Sequence, residues 1–161
     1  MLALLSTALA GPHLLSGSYA VADPAHLDAT QSAAIEAVVR QYPWAFRGLA
    51  RPRVRNHVWN CGTLELTVGT ELTVRCDDKP PSRFPIQSGI QSWVDPDGNP
   101  YEIEVQLTEL SCSVWFRSAH GTMTWTWTHA PNGLQLGTEI TSRYLPGPVQ
   151  WSADYRDSLK P

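Results

Sequence analysis

The chain is predicted to be mainly β, an antiparallel meander closed into a seven- or eight-stranded barrel with one N-terminal helix. Three observations predict it. From residue 57 onward apolar and polar side chains alternate with a period of two, the signature of extended chain with one face buried. Short turn signals rich in Pro, Gly, Asn and Asp interrupt that alternation at regular intervals. The composition leans the same way: only 17% of the 161 residues are charged, and Thr, Ser, Trp and Gln take up the difference, a mix that suits strands. A chain of this length is one folding unit by the usual prior and can bury a proper core.

Taken in order, residues 1–27 read as an irregular N-terminal arm. Its first ten, MLALLSTALA, are apolar and end in Ala8-Leu9-Ala10, which resembles a signal-peptidase site. The basic n-region of a signal peptide is absent and the apolar run is short, far short of a transmembrane helix. Cytoplasmic residence is therefore the expectation, with secretion the alternative if residues 1–10 are cleaved. Residues 28–46 form the predicted helix, a lid or plug for the barrel. Asp28 is its expected N-cap, Gln31 stands at capping-box spacing, and Ile35, Val38, Val39 and Tyr42 make one apolar stripe up to Pro43. Residues 47–161 form the barrel domain. It opens on a basic linker, Arg47, Arg51, Arg53 and Arg55, and continues through strand candidates 57–68, 71–76, 84–94, 101–109, 112–118, 122–129, 134–145 and 149–155. Asn132-Gly133 is a strong hairpin signal. An antiparallel sheet of this kind removes its edges by closing into a barrel or folding as a sandwich.

Each strand candidate has two distinct faces. In 101–108, Tyr101, Ile103, Val105 and Leu107 oppose Glu102, Glu104, Gln106 and Thr108; in GTMTWTWTHA, Met123, Trp125, Trp127 and His129 oppose threonines. The polar face is either solvated surface, the common case for antiparallel sheets, or a barrel interior. Net charge is −3, and the 12 Lys and Arg residues make only the one cluster, so nucleic-acid binding is set aside. The three cysteines, Cys61, Cys76 and Cys112, lack metal-site spacing. With Leu64, Leu66, Leu72 and Val74 on one face, Cys61 and Cys76 are expected on opposite faces and to stay reduced.

Seven Trp residues exceed what core filling usually requires, and a buried indole N–H needs a partner, so flat rings on one strand face suit the wall of a cavity as well as a core. The candidate wall is Trp93, Tyr101, Trp115, Met123, Trp125, Trp127 and Tyr144. Glu104 and Gln106 are the candidate catalytic groups, polar anchors for an enol or carbonyl, against the plainer reading of solvated side chains. No nucleophile elbow, zincin, P-loop or dinucleotide motif is present, so no cofactor and no metal is expected.

A short N-terminal helical segment before a Trp- and Tyr-rich meander, with strands such as TMTWTWTH and the terminal RYLPGPVQW, resembles the small lipocalin-like β-barrel cyclases of spirotetronate and spirotetramate pathways. That resemblance implies a cofactor-independent Diels–Alderase, an intramolecular [4+2] cyclase that folds a linear polyketide-like substrate so that diene and dienophile meet. AAIEAVVRQYPWAF is locally similar to the first helix of SnoaL-like cyclases and isomerases, a further alternative. A lipocalin-like or avidin-like carrier would use the same barrel and aromatic walls with no chemistry, and an interaction module with a Trp-rich core would need no pocket. The expected partner is a hydrophobic small molecule, with a homodimer left open, and neither nucleic acid nor membrane.

Overall fold

The computed structural model describes residues 13–158. The Ala8-Leu9-Ala10 motif lies outside them. β1 (Gly17–Val21) comes first, then α1 (Pro24–Val39), a 3₁₀ turn (Trp44–Phe46) and α2 (Arg47–Arg55). The meander follows: β2 (Thr63–Val68), β3 (Glu71–Cys76), β4 (Ser82–Pro85), β5 (Gln91–Val94), β6 (Pro100–Leu107), β7 (Ser111–Ser118), β8 (Gly121–Ala130), β9 (Gly133–Ser142) and β10 (Val149–Asp157). The strand order is β4-β3-β2-β1-β10-β9-β8-β7-β6-β5, with every pair antiparallel. β1, hydrogen-bonded to both β2 and β10, joins the two ends of the meander and leaves a nearly closed barrel.

The mainly antiparallel β architecture agrees with expectation, and two details are corrected. The described residues form ten strands in place of seven or eight, because β1 lies in the stretch expected to be irregular and the 84–94 candidate is two strands. Residues 86–90 leave the sheet between β4 and β5, through Gly89 at φ 89°. The described residues also form two α-helices in place of one. The arginine-rich 47–55 segment is helical in spite of Pro52, whose missing N–H removes one internal bond from a short helix. It is clamped to α1 by Arg51 on the Glu36 carboxylate, where Nη2 donates to Oε2 at 3.0 Å.

α1 starts earlier than the Asp28 capping box would place it. Asp23 caps it, its side chain accepting from the His26 N–H at 3.0 Å, with Pro24 in the first turn, the position where a missing N–H is harmless. Three members of the stripe, Ile35, Val38 and Val39, are buried on α1, joined by Leu27 and Gln31. Gln31 donates to the Trp59 carbonyl at 3.0 Å, which ties α1 to the chain entering β2. Tyr42 lies beyond the helix and donates to the Tyr144 carbonyl at 2.5 Å. Among the described residues no helix is long and apolar enough to cross a membrane.

The apolar parity of the long strands faces inward, whereas in β5 Trp93 turns to the core and Val94 is exposed. Leu64, Val74, Ile103, Val114, Leu136 and Tyr155 are all buried in one core, each such side chain contributing about 1.5–3 kcal/mol relative to exposure. The threonines of β8 face outward and pair across strands: Thr122 with Thr141 at 2.7 Å and Thr126 with Ser113 at 3.0 Å. The cysteine expectation is corrected. Cys61 precedes β2, and the chain leaves its extended course at Gly62, so strand parity does not reach Cys61. Cys61 and Cys76 are buried side by side, with sulfur atoms within 4.8 Å of each other, as free thiols.

Candidate binding cavity

The helices and three segments gather at one end of the barrel, where β1 and β3 finish and β2, β4 and β6 begin. These segments are the chain before β2, the β3–β4 turn and the β5–β6 turn. Between them lies a cavity of about 340 Å³ lined by Trp59, Val74, Cys76, Lys79, Pro80, Ser82, Pro96, Asp97 and Trp125, at the lower end of volumes that hold small ligands. Its rim is fixed by local hydrogen bonding. Asp95 Oδ1 accepts from the backbone N–H groups of Asp97 at 2.9 Å and Asn99 at 2.7 Å. Asp77 Oδ1 accepts from Thr63 N at 2.8 Å, Gly62 N at 3.1 Å and Thr63 Oγ1 at 3.1 Å, and Thr63 N–H above all holds that carboxyl below the usual carboxylate range.

The floor is aromatic. Trp59 stacks on Trp125 with centroids 4.8 Å apart and planes 21° from parallel. Phe116 meets Trp125 edge-on at 4.7 Å, and Phe84, Trp93 and Tyr101 continue the cluster at 5–6 Å spacings. Edge-to-face rings at these distances are the favoured arrangement for aromatic quadrupoles. Burial, then the Asp95 and Asp97 carboxylates, hold the Tyr101 phenol above its ordinary range.

Polar atoms inside the barrel are few and unevenly served. The hydroxyls of Tyr19 and Tyr155 donate to the Leu15 and Cys61 carbonyls at 3.1 and 2.8 Å. Trp125 Nε1, Trp127 Nε1 and Thr138 Oγ1 are buried with no hydrogen-bond partner. Thr138 is the cross-strand partner of Trp125, and the Trp125 and Trp127 rings are 5.8 Å apart, so the three groups share one patch of the inner wall. An unserved buried donor costs about 1–3 kcal/mol.

Cys61, Cys76 and Asp77 are the one set of metal-ligating side chains that converges among the described residues, within 4.8 Å. Their atoms are already engaged. Cys61 donates to the Thr63 carbonyl at 3.0 Å and Cys76 to the Asn60 carbonyl at 3.5 Å. The Cys61 thiol, then burial and the Asp77 charge, hold Cys76 firmly protonated. Cys112, far from this knot, is pushed up to about 12 by burial alone.

The residues singled out from the sequence divide between the two faces of the wall. Trp93, Tyr101, Met123, Trp125 and Trp127 pack in or against the interior core. Trp115 is on the outer face, opposite Glu104 and Thr124, in a shallow groove of about 450 Å³ along with Thr126, Glu139 and Gln150. That groove is open to solvent, and the buried residues Thr138 and Trp151 also contribute to its lining. Glu104 and Gln106 are also outside: Glu104 pairs with Arg117 at 3.7 Å and accepts from Gln106 at 3.4 Å. Tyr144 is 62% exposed in the β9–β10 loop, with the Arg143 guanidinium over its ring at 4.8 Å. Glu104 and Gln106 thus reach no enclosed space. Trp59, Lys79, Asp97 and Thr138 are cavity or inner-wall residues that sequence reasoning passed over.

No family model and no curated protein matches the chain. Its fold does have solved counterparts. A structure described as the REP1-NXSQ fatty acid transporter is similar at TM-score 0.51 and 10% identity, over 91% of this chain and 98% of that one. Apo lipid binding protein 8 of Caenorhabditis elegans is similar at TM-score 0.52 and 12% identity, over 94% and 100%. A point mutant of the fluorescent protein UnaG gives TM-score 0.52 and 13%, over 91% and 98%. At such identities the likeness is one of fold. It corrects the resemblance to spirotetronate-type cyclases and to the SnoaL-like cone. The described residues form a nearly closed ten-stranded barrel with a helix pair after its first strand, similar in fold to these structures, and the expectation of a [4+2] cyclase falls with the resemblance that supplied it.

Proposed function

We propose that the chain is a non-catalytic carrier of a hydrophobic, lipid-like small molecule, held with its apolar body against the Trp59–Trp125 stack. One observation carries the reading: the aromatic-floored cavity opens at the helix-capped end of a barrel whose interior is lined mainly by apolar side chains. Burial of apolar ligand surface there supplies affinity without any reacting group. The names of the fatty acid transporter and the lipid binding protein that share the fold support the same class of ligand. The groups available for acid–base work point elsewhere, since Glu104 and Gln106 are on the outside and Cys76 is held protonated.

Titration with the neutral dye Nile red tests this. Saturable one-to-one binding with a blue-shifted emission is expected, displaced by twelve-carbon lipids that are recovered chemically unchanged. Ser82→Trp, which fills the cavity from β4, should weaken dye binding at least about tenfold, the effect of losing some 1.4 kcal/mol. Absence of saturable binding, or equal binding by the filled variant, rejects the carrier reading.

A further inference from the structure

We propose that the carried molecule has an uncharged carbonyl group, as a ketone, aldehyde, ester or amide, seated inside the barrel against Trp125 and Thr138. The inference rests on the carrier reading and specifies what that site selects. Three buried groups with protons to donate, Trp125 Nε1, Trp127 Nε1 and Thr138 Oγ1, have no acceptor, on residues exposed by only 9%, 0% and 4%. Buried donors are ordinarily satisfied, and three together on adjacent strands mark a missing partner. Trp125 lines the cavity, Thr138 is its direct cross-strand neighbour, and Trp127 is the next inward residue along β8. The rings around Trp125 offer only π faces, second-order acceptors beside a carbonyl oxygen.

The charge of the group follows from what the wall lacks. Among the described residues the buried polar and charged set is Gln31 and Thr138 alone, so no Lys, Arg or His stands inside to neutralise a carboxylate. A carboxylate taken in unpaired would lose its hydration with no ion to replace it. At the mouth, Lys79 and Asp97 both line the cavity and bring one charge of each sign, which gives an anion no net attraction. The hydroxyls of the two buried tyrosines, Tyr19 and Tyr155, are committed to backbone carbonyls. A neutral acceptor is the chemistry that satisfies the orphaned donors without stranding a charge.

The test compares twelve-carbon ligands of one chain length by Nile red displacement at pH about 8, where a carboxylic acid is ionised: methyl decyl ketone, sodium laurate and dodecane. The ketone is expected to bind about tenfold or more above both, as one to two added hydrogen bonds allow. Trp125→Phe keeps a ring and removes the donor, and Thr138→Val keeps the shape and removes the hydroxyl. Each should narrow the ratio of ketone to dodecane affinity, which is read for each variant against its own dodecane binding, and Thr138→Ser should retain most of the preference. Laurate binding as well as the ketone, or variants that weaken ketone and dodecane alike, overturns the inference while the carrier reading stands. Failure of all three ligands and of the dye rejects both.

Discussion

Asp77 occupies the left-handed region at φ 51°, alone among the described non-glycine residues, and its carboxylate bridges back to the entrance of β2 through three donors on Gly62 and Thr63. Those bonds hold the cavity rim and offset the backbone strain. Asp77→Ala should therefore lower stability by about 1–2 kcal/mol, toward the low end because the group is exposed and its donors can turn to water. The folded pKa is depressed, so the contribution is complete above the unfolded value near 4 and fades as pH falls through the lower folded one. Urea unfolding of Asp77→Ala and of the unaltered chain should differ at pH about 6 and converge at pH about 2; a gap that persists in acid would assign the effect to backbone alone. At this scale the sequence was partly legible. Thr138 shares the parity of Leu134, Leu136 and Ile140, so a polar residue on an apolar face was a readable sign of an inner donor. Trp59 was not readable as a wall, because residues 56–62 are coil and alternation carries no facing information outside a strand.

Among the elements, the β8–β9 hairpin was the most legible, since period-two patterning and the Asn132-Gly133 turn both act over neighbouring residues. Gly133 is required for more than the turn. It sits at φ 146°, and an added Cβ would lie 2.1 Å from the Tyr155 carbonyl oxygen of β10. Gly133→Ala must push β9 away from β10, a loss of about 2 kcal/mol or more and a fall in Tm of about 5 °C or more. Gly69, in the β2–β3 turn, has nothing within 4 Å of the same added atom, so Gly69→Ala should stay within about 0.5 kcal/mol. Similar melting points for the two variants would refute this account of Gly133. β1 and α2 were less legible for physical reasons. GSYAV is too short to show alternation and becomes a strand by pairing with β2 and β10, partners distant in sequence. The 47–55 helix contains a proline and takes its hold from Arg51 on Glu36, a tertiary contact that outweighs local propensity.

In the whole molecule, the sheet order makes β4 and β5 the two edges, and a barrel with two edges has a slit. Side chains staple it. Trp93 Nε1 donates to the Arg83 carbonyl at 2.9 Å, Gln91 Nε2 donates to the Pro85 carbonyl at 3.2 Å, and the Trp93 ring lies 5.0 Å from Phe84. Pro85 offers no N–H to a foreign strand, a common protection of an edge. The sequence pointed to closure but not to the slit, because the run through 84–94 keeps apolar character where the backbone leaves the sheet. A seam held by side chains opens more easily than a ladder of backbone bonds, so amide exchange should be fastest in β4 and β5 and slowest in β8 and β9, which are paired on both sides. Trp93→Phe keeps the aromatic packing and removes the staple. It should cost about 1 kcal/mol and quicken exchange in β4 and β5 by severalfold while leaving β8 and β9 unchanged up to global unfolding. Uniform acceleration in all strands would mean that the seam and the sheet open as one unit, and that Trp93 contributes only to the common core.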